Sequence, residues 1–223
     1  MAIKPILFNT EMVRAILNGR KTCTRRILKH DVESILNSPY HKKHPEVEDR
    51  QIISKLCQPS YQPGDILYVR ETFAWGPCWD CGLDTEPGGC SNETDKIYKE
   101  KEYGCYMYRA SCEDNEYPSA DTWHPSIHMP KEAARIWLKV TDVKVERLQK
   151  ITEEGAKAEG AIDNRGFIHS PENEYDRIHT AREHFIEIWS STIKKFDIDR
   201  YGWDANPWVW VIEFERCEKQ EEI

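Results

Sequence analysis

The strongest structural constraint in this sequence is a long alternation of apolar and polar residues at positions 135–148. The apolar members are Ile136, Leu138, Val140, Val143 and Val145. Apolar residues at alternate positions are typical of a β-strand, so this pattern predicts a long strand. It is the clearest strand signal in the chain, and the other elements are interpreted around it.

Shorter apolar runs predict further strands at 3–8, 22–28, 66–69, 103–110 and 208–214. Helical spacing predicts a helix around 12–17, which Asn9 or Thr10 caps and Gly19 ends. Two more helices are predicted, at 152–158 with Thr152 as its cap and at 174–195. Strands with few helices between them, and no regular strand–helix alternation, indicate an α+β fold or a small barrel.

Composition predicts one domain at 1–217, with a polar, Cys-rich insertion at about 76–122 and a charged tail at 218–223. Hydrophobic residues make up 39% of the chain, enough for one core. Mean hydropathy is −0.74 and charged residues reach 31%, which predicts long solvated segments. No apolar run approaches membrane-spanning length, and the first eight residues lack a signal-peptide pattern. We therefore expect a cytoplasmic protein with no membrane partner.

The charge of the chain is unevenly distributed. The net charge is −8, yet residues 1–43 carry nine basic side chains and three acidic ones, so the remainder of the chain is −14. A cationic patch on an acidic body can steer an anionic ligand to one place. The alternative is a solvated surface that has no partner.

The segment from Gly19 to Arg26 concentrates hydrogen-bond donors after the first predicted helix. Lys21 follows the helix end, and Thr24 and Arg26 lie two apart on one face of the next strand. An ammonium, a hydroxyl and a guanidinium together suit a phosphate, a carboxylate or a polarised carbonyl. Alternatively, the basic residues only complement the dipole at the helix C-terminus.

This segment resembles ASCH domains, which carry Gly-x-Lys-x-x-Glu-x-Arg between their first helix and second strand. Here Gly19, Lys21 and Arg26 match, and Thr24 stands where most of that family has Glu. The stretches 63–69 and 208–214 are also similar to the family. The sequences Val-Arg-Glu-Thr at 69–72 and Pro-Ser-Ile-His-Met-Pro at 125–130 resemble the larger phage and prophage type.

The resemblance implies a small PUA-like mixed β-barrel with flanking helices and the Cys-rich insertion, and binding of RNA or a modified nucleoside. No organic cofactor is implied. One branch of the family hydrolyses the amide of N4-acetylcytidine, which makes Lys21 the base and Thr24 the nucleophile. Lys139 stands where that branch has a Glu on a later strand, and Glu71 is the nearest substitute. Alternatively, Glu71 only forms a salt bridge to Arg70 or Arg26.

Other members of the family are ribonucleases, although no nuclease site maps onto this sequence. Two further functions stay open. One is a non-catalytic module of phage origin that binds a nucleic acid or a protein. The other is a scaffold whose acidic body binds a basic partner.

Two aromatic, turn-rich loops carry further candidate ligand-binding residues. In the first loop Ser126 and His128 share one side of an extended segment, with Trp123 as a stacking surface. In the second, Trp203 and Asn206 are candidates for the same cleft. The alternative for both loops is structural packing of their aromatic residues.

The cysteines of the insertion predict a structural zinc site. Cys78 and Cys81 form a C-x-x-C motif, Cys90 follows, and Cys105 or Cys112 supplies the fourth thiolate. A small polar insertion gains stability from such a metal. Free thiols are the alternative, because the sequence has no second C-x-x-C. Cys23 alternates with Thr22 and Thr24 and is predicted to face the core.

Overall fold

The computed structural model describes residues 1–76, 105–112, 123–165 and 179–219. Its strands are β1 Ile3–Leu7, β2 Cys23–Ile27, β3 Ile66–Arg70, β4 Phe73–Gly76, β5 Cys105–Tyr108, β6 Trp137–Arg147 and β7 Trp208–Cys217. Its α-helices are α1 Thr10–Leu17, α2 Val32–Leu36, α3 Pro39–Lys43, α4 Asp49–Leu56, α5 Glu153–Ala158, α6 Ala181–Thr192 and α7 Ile198–Tyr201. The predicted α+β class is confirmed, with a mainly β-sheet core and flanking helices.

Local sequence signals set the ends of the helices that border the site. The Asn9 side chain accepts a hydrogen bond from the backbone N–H of Met12, which caps α1 as predicted. Gly19 follows α1 at a φ of 71°, a left-handed conformation that glycine adopts at little cost. Thr152 caps α5 as predicted. Thr180 and Glu183 form a capping box that starts α6 at Ala181, and residues 174–178 of the predicted helix lie outside the described residues.

Contacts divide the chain into two compact units. Unit 1 contains 1–18, 64–139 and 215–223, and unit 2 contains 19–63 and 140–214. Strands β6 and β7 each contribute residues to both. The expectation of one domain at 1–217 stays a prediction.

Unit 1 is organised by a three-strand arrangement in the order β1-β3-β6. Strand β1 runs parallel to β3, and β3 runs antiparallel to the start of β6. Strands β4 and β5 form a separate antiparallel pair. One hydrophobic cluster of the unit consists of Ile66, Phe73, Tyr106, Tyr108, Met129, Ala133, Ala134 and Trp137.

Unit 2 has the strand order β6-β7-β2, and β2 is antiparallel to β7. Helices α5 and α6 pack on this sheet and bury an apolar cluster against it. The cluster consists of Leu148, Ile151, Ala156, Ala161, Ala181, Phe185, Trp189, Val209 and Val211. The region 29–60 forms the short helices α2, α3 and α4.

Within the described ranges, no helix has both the length and the apolar character needed to cross a membrane.

Candidate functional site

Lys21 lies in the interior of unit 2, where it is bound to the end of α5. Its Nζ donates to the Oε2 atom of Glu159 at 2.7 Å and to the Glu159 carbonyl at 2.8 Å, and its side chain is 0% exposed. The adjacent Thr22 N–H donates to the Ala158 carbonyl at 2.8 Å. A cation this deeply buried requires such a partner, because an isolated buried charge is very costly.

The same carboxylate also binds Arg25. The Nη1 atom of Arg25 lies 3.2 Å from the Oε1 atom of Glu159, while Nε and Nη2 donate to the Oε1 atom of Glu146 at 3.1 and 2.7 Å. Burial opposes the charge of Arg25, but the two carboxylates outweigh it and raise the pKa of the guanidinium. We call Lys21, Arg25, Glu146 and Glu159 the shared-carboxylate cluster, and its formal charges cancel.

Cys23 lies beside this cluster, with its Sγ 3.8 Å from the Nη1 atom of Arg25 and 4.0 Å from the Gly155 carbonyl. It is buried, as predicted. Burial, together with the charge of Glu159, raises the pKa of the Cys23 thiol to about 12. The thiol is therefore protonated at neutral pH, and a protonated thiol is a poor nucleophile.

Thr24 and Arg26 alternate with the residues of the cluster along β2. Thr24 is buried and pairs with Ile212 of β7. Successive strand residues point to opposite faces, so the side chain of Thr24 points away from that of Arg25. Burial lowers the pKa of Arg26, and the neighbouring Tyr61 acts in the opposite direction. The structure therefore gathers Lys21, Cys23 and Arg25 around Glu159.

An open cleft of about 1080 Å³ lies at the surface of unit 2. The two neighbours of Lys21 in the sequence, Arg20 and Thr22, belong to its lining. Its lining consists of Gly19, Arg20, Thr22, Lys157, Ala158, Ala161, Ile162, Asp163 and Arg165. We call it the basic cleft, because it carries three cationic side chains and one carboxylate.

The charged residues of the basic cleft are anchored to different degrees. Arg20 donates through Nη1 to the Gly160 carbonyl at 2.9 Å, and Arg165 forms a salt bridge of 2.7 Å with Asp163. Hydrogen bonds from the Arg165 side chain and backbone lower the pKa of Asp163 to about 2. Lys157, in the last turn of α5, is exposed. The lining therefore has a net charge of +2 at neutral pH, which favours an anionic ligand.

In unit 1, Glu71 forms a bidentate salt bridge with Arg135. The Nε and Nη2 atoms of Arg135 lie 2.9 and 3.0 Å from the two carboxylate oxygens, and its Nη1 donates to the Ser111 hydroxyl at 2.7 Å. The same guanidinium lies 4.0 Å from the centre of the Tyr108 ring. Glu71 is buried, and the paired hydrogen bonds satisfy its charge.

The two sequence motifs of unit 1, at 69–72 and 125–130, contact each other. Arg70 donates through Nε to the Met129 carbonyl at 2.7 Å and through Nη2 to the Ile127 carbonyl. The Glu71 N–H lies 3.1 Å from the sulfur of Met129, which is fully buried. The two motifs therefore form one packed region of unit 1.

The first predicted aromatic loop belongs to unit 1. Ser126 and His128 lie in a short 3₁₀ turn, where Ser126 is half-buried and His128 exposed. Trp123 is half-buried, with the Arg109 guanidinium 5.7 Å from its ring centre. The side chains of His128 and Trp123 both have surface that solvent can reach.

The second predicted loop belongs to unit 2, and its side chains form internal contacts. Trp203 packs against the apolar cluster of the unit, with the guanidinium of Arg182 4.7 Å from its ring. Asn206 has a φ of 46°, and its Oδ1 accepts from the backbone N–H of Gln149 at 2.9 Å. Asn tolerates this left-handed turn, so it has a structural role here.

The predicted zinc ligands Cys78, Cys81 and Cys90 lie outside the described residues, and of Cys105 only the backbone is described. The Sγ atom of Cys112 lies 3.5 Å from the Tyr108 carbonyl. Among the described residues, no three His, Cys, Asp or Glu side chains form a group suited to a metal ion. The zinc site stays a prediction.

Sequence reasoning missed Glu159, Glu146 and Arg25. Two sequence signals pointed to Arg25 and Glu159. Arg25 and Cys23 follow Lys21 at intervals of two, the period of one strand face. Glu159 occupies the C-cap of α5, where the helix dipole disfavours an acid, so a cation from elsewhere in the chain had to compensate it.

Comparison with known proteins gives one structural likeness. No family model and no curated protein matches the chain. The chain is similar to a crystal structure of an ASCH domain from Lactobacillus crispatus, with 12% identity, a TM-score of 0.39, and coverage of 96% of this chain and 79% of that one. These values are too low to assign a family. The geometry itself defines an α+β protein with a buried ion cluster near a basic cleft.

We predict that Glu159→Gln destabilises the protein by about 3 kcal/mol, because it leaves two buried cations short of a partner. Urea denaturation of the purified variant measures the loss. Glu154→Gln removes an exposed carboxylate from the same helix and serves as the control, with an expected change below about 0.5 kcal/mol. Equal effects of the two substitutions would show that the shared-carboxylate cluster contributes little.

Proposed function

We propose that the chain is an ASCH-type, PUA-like module that binds single-stranded RNA or a modified nucleoside in the basic cleft. The observation that carries the proposal is the lining of that cleft, in which Arg20, Lys157 and Arg165 outnumber the single carboxylate of Asp163. Phosphate oxygens and polar base edges suit such donors.

The electrostatics of the whole chain support this assignment. A protein with a net charge of −8 repels polyanions on average. A local excess of cations then determines where an anion can bind, and the basic cleft has that excess. The exposed Thr22 hydroxyl adds a neutral donor and acceptor beside the cations.

The ASCH part of the proposal is supported by the sequence motifs. Gly19, Lys21 and Arg26 match the family pattern, and Gly19 has the left-handed backbone conformation that favours glycine. The sequences at 69–72 and 125–130 resemble the larger phage and prophage type.

Binding is tested with a fluorescent single-stranded RNA of about 10 nucleotides and its anisotropy at several salt concentrations. We expect Lys157→Ala to weaken binding and to reduce the slope of log K against log salt by about 0.7, the loss of one phosphate contact. A gel of the same samples shows whether the RNA stays intact, which addresses ribonuclease activity.

The matched control is Lys29→Ala, which removes the same charge from an exposed site of unit 2 outside the cleft. We expect it to bind RNA like the wild type. Equal losses in Lys157→Ala and Lys29→Ala, or binding that does not depend on salt, would refute the cleft as the binding site.

A second candidate function is hydrolysis of the amide of an acylated nucleobase such as N4-acetylcytidine. The favouring observation is the carboxylate of Glu159, 2.7 Å from the Nζ of Lys21, which supplies a Lys–Glu pair without the later-strand Glu. Lys21 is a cation in this salt bridge, so in this proposal it first passes a proton to Glu159 and then acts as the base, with Thr24 as the nucleophile. The Thr24 side chain must then reach the ligand from its buried position on β2.

Deacetylation of N4-acetylcytidine, followed by chromatography, tests this second function. We expect Lys21→Met and Thr24→Val each to lower kcat at least about a hundredfold while Glu71→Gln keeps the activity, if Glu159 supplies the carboxylate. Turnover that survives Thr24→Val would exclude Thr24 as the nucleophile. No turnover by the wild type would leave binding as the function.

We also propose the structural zinc site in the Cys-rich insertion. Elemental analysis of the purified protein is expected to find about one zinc per chain, and fewer after Cys78→Ser and Cys81→Ser together. Cys217→Ser, which changes a cysteine outside the insertion, is expected to keep the metal. A zinc content near zero in the wild type would remove the proposal.

A further inference from the structure

One wall of the basic cleft is held to helix α6 by a histidine. The backbone N–H of Ile162 donates to the Nδ1 atom of His184 at 2.9 Å. An imidazole nitrogen accepts a hydrogen bond only when it carries no proton, so His184 is neutral in this structure, with its proton on Nε2. Protonation of Nδ1 would replace the acceptor with a donor that faces another donor.

A second imidazole lies beside the first. The rings of His179 and His184 have centroids 4.8 Å apart at an angle of 36°. Among the described residues, the Nδ1 atom of His179 is buried and has no hydrogen-bond partner. The His179 backbone also exchanges hydrogen bonds with Asn164, since its N–H donates to Oδ1 at 2.8 Å and its carbonyl accepts at 3.3 Å.

The charged groups that face His184 come from three elements. His179 precedes α6, and Glu187 lies in α6 about one turn after His184. Arg20 belongs to the lining of the basic cleft. The segment that His184 holds carries the Asp163–Arg165 salt bridge. Burial, then His179 and Arg20, lower the pKa of His184 below its ordinary 6.5, and this effect outweighs Glu187 and a hydrogen bond with the Ile162 backbone, which both raise it.

We propose that His184 is a pH-sensitive latch that holds the segment 161–165 as a wall of the basic cleft and releases it when the imidazole is protonated. That this release regulates ligand binding rests on the proposed function. Acid breaks the bond to Ile162 and places a cation beside His179 and Arg20. Asp163 does not take part, since its pKa of about 2 keeps it ionised throughout the relevant range.

The direction of the effect on stability follows from the lowered pKa. Between the ordinary value of 6.5 and the lower folded value, the unfolded chain binds a proton that the folded chain does not. The contribution of His184 to stability is therefore fully present above pH 6.5 and is lost as the pH falls below it. The latch is closed at neutral pH and opens in acid.

The latch is tested by the hydrogen-exchange protection factor of the Ile162 amide, measured by NMR from about pH 7.5 to about pH 5. We expect the factor to fall at least about tenfold in the wild type. In His184→Asn, whose Oδ1 accepts the same bond without titrating, it is expected to stay constant. The control His30→Asn replaces an exposed histidine of the same unit and is expected to behave like the wild type.

A wild-type Ile162 amide whose protection does not change with pH would overturn the latch. A second measurement applies if His184→Asn does not fold, namely the NMR titration of the His184 ring in the wild type and in His179→Gln. We expect a midpoint below 6.5 that rises in His179→Gln, because a neighbouring imidazole has been removed. A midpoint at 6.5 in both proteins would also overturn the proposal.

RNA affinity over the same pH range separates the latch from the proposed function. We expect acid to weaken binding more in the wild type than in His184→Asn, because the released wall no longer encloses the ligand. Identical pH dependence in the two proteins would overturn the regulatory role. If no RNA binds at any pH while Ile162 still loses protection, the latch stands and the proposed function is refuted.

Discussion

The carboxylate of Glu159 is the contact on which the local structure of unit 2 depends. It accepts from Lys21 on one oxygen and from Arg25 on the other, and Glu146 completes the neutralisation of Arg25. Buried ion pairs add little net stability when they are compared with apolar replacements, but removal of one partner is costly. The cluster therefore fixes the geometry of the chain more than it adds to the free energy of unfolding.

That geometry places the basic cleft. The Thr22 N–H binds the Ala158 carbonyl, and the Thr22 carbonyl accepts from Phe214 on β7. Together with the Lys21–Glu159 contact, these bonds hold the turn after Gly19 against the end of α5. The buried side chains set the position of the backbone, and the side chains of Arg20, Thr22 and Lys157 are exposed in the basic cleft. The neighbouring residues Lys21 and Thr22 thus differ in role: the buried cation of Lys21 fixes the backbone, and the hydroxyl of Thr22 is exposed.

The sequence predicts the strands and helices of this protein well because their signals are local. The alternation at 135–148 and the caps at Asn9 and Thr152 each depend on neighbours within a few positions. The ion pairs are different, since Lys21 and Glu159 lie 138 residues apart and Glu71 and Arg135 lie 64 apart. A periodic pattern of neighbouring residues cannot predict ion pairs between such distant positions. The segment from Gly19 to Arg26 was predicted as a site, but which of its faces is buried depended on partners that arrive from α5 and β6.

The distribution of charge looks different once these partners are known. The cationic excess of residues 1–43 includes Lys21 and Arg25, whose charges are neutralised inside the shared-carboxylate cluster. Neutralised and buried, they contribute little to the field that an approaching anion meets. The field at the cleft comes instead from Arg20 together with Lys157 and Arg165, two residues outside the basic N-terminal region. The positive field of the basic cleft is therefore a property of the folded unit, which brings distant cations together. The N-terminal sequence alone does not produce it.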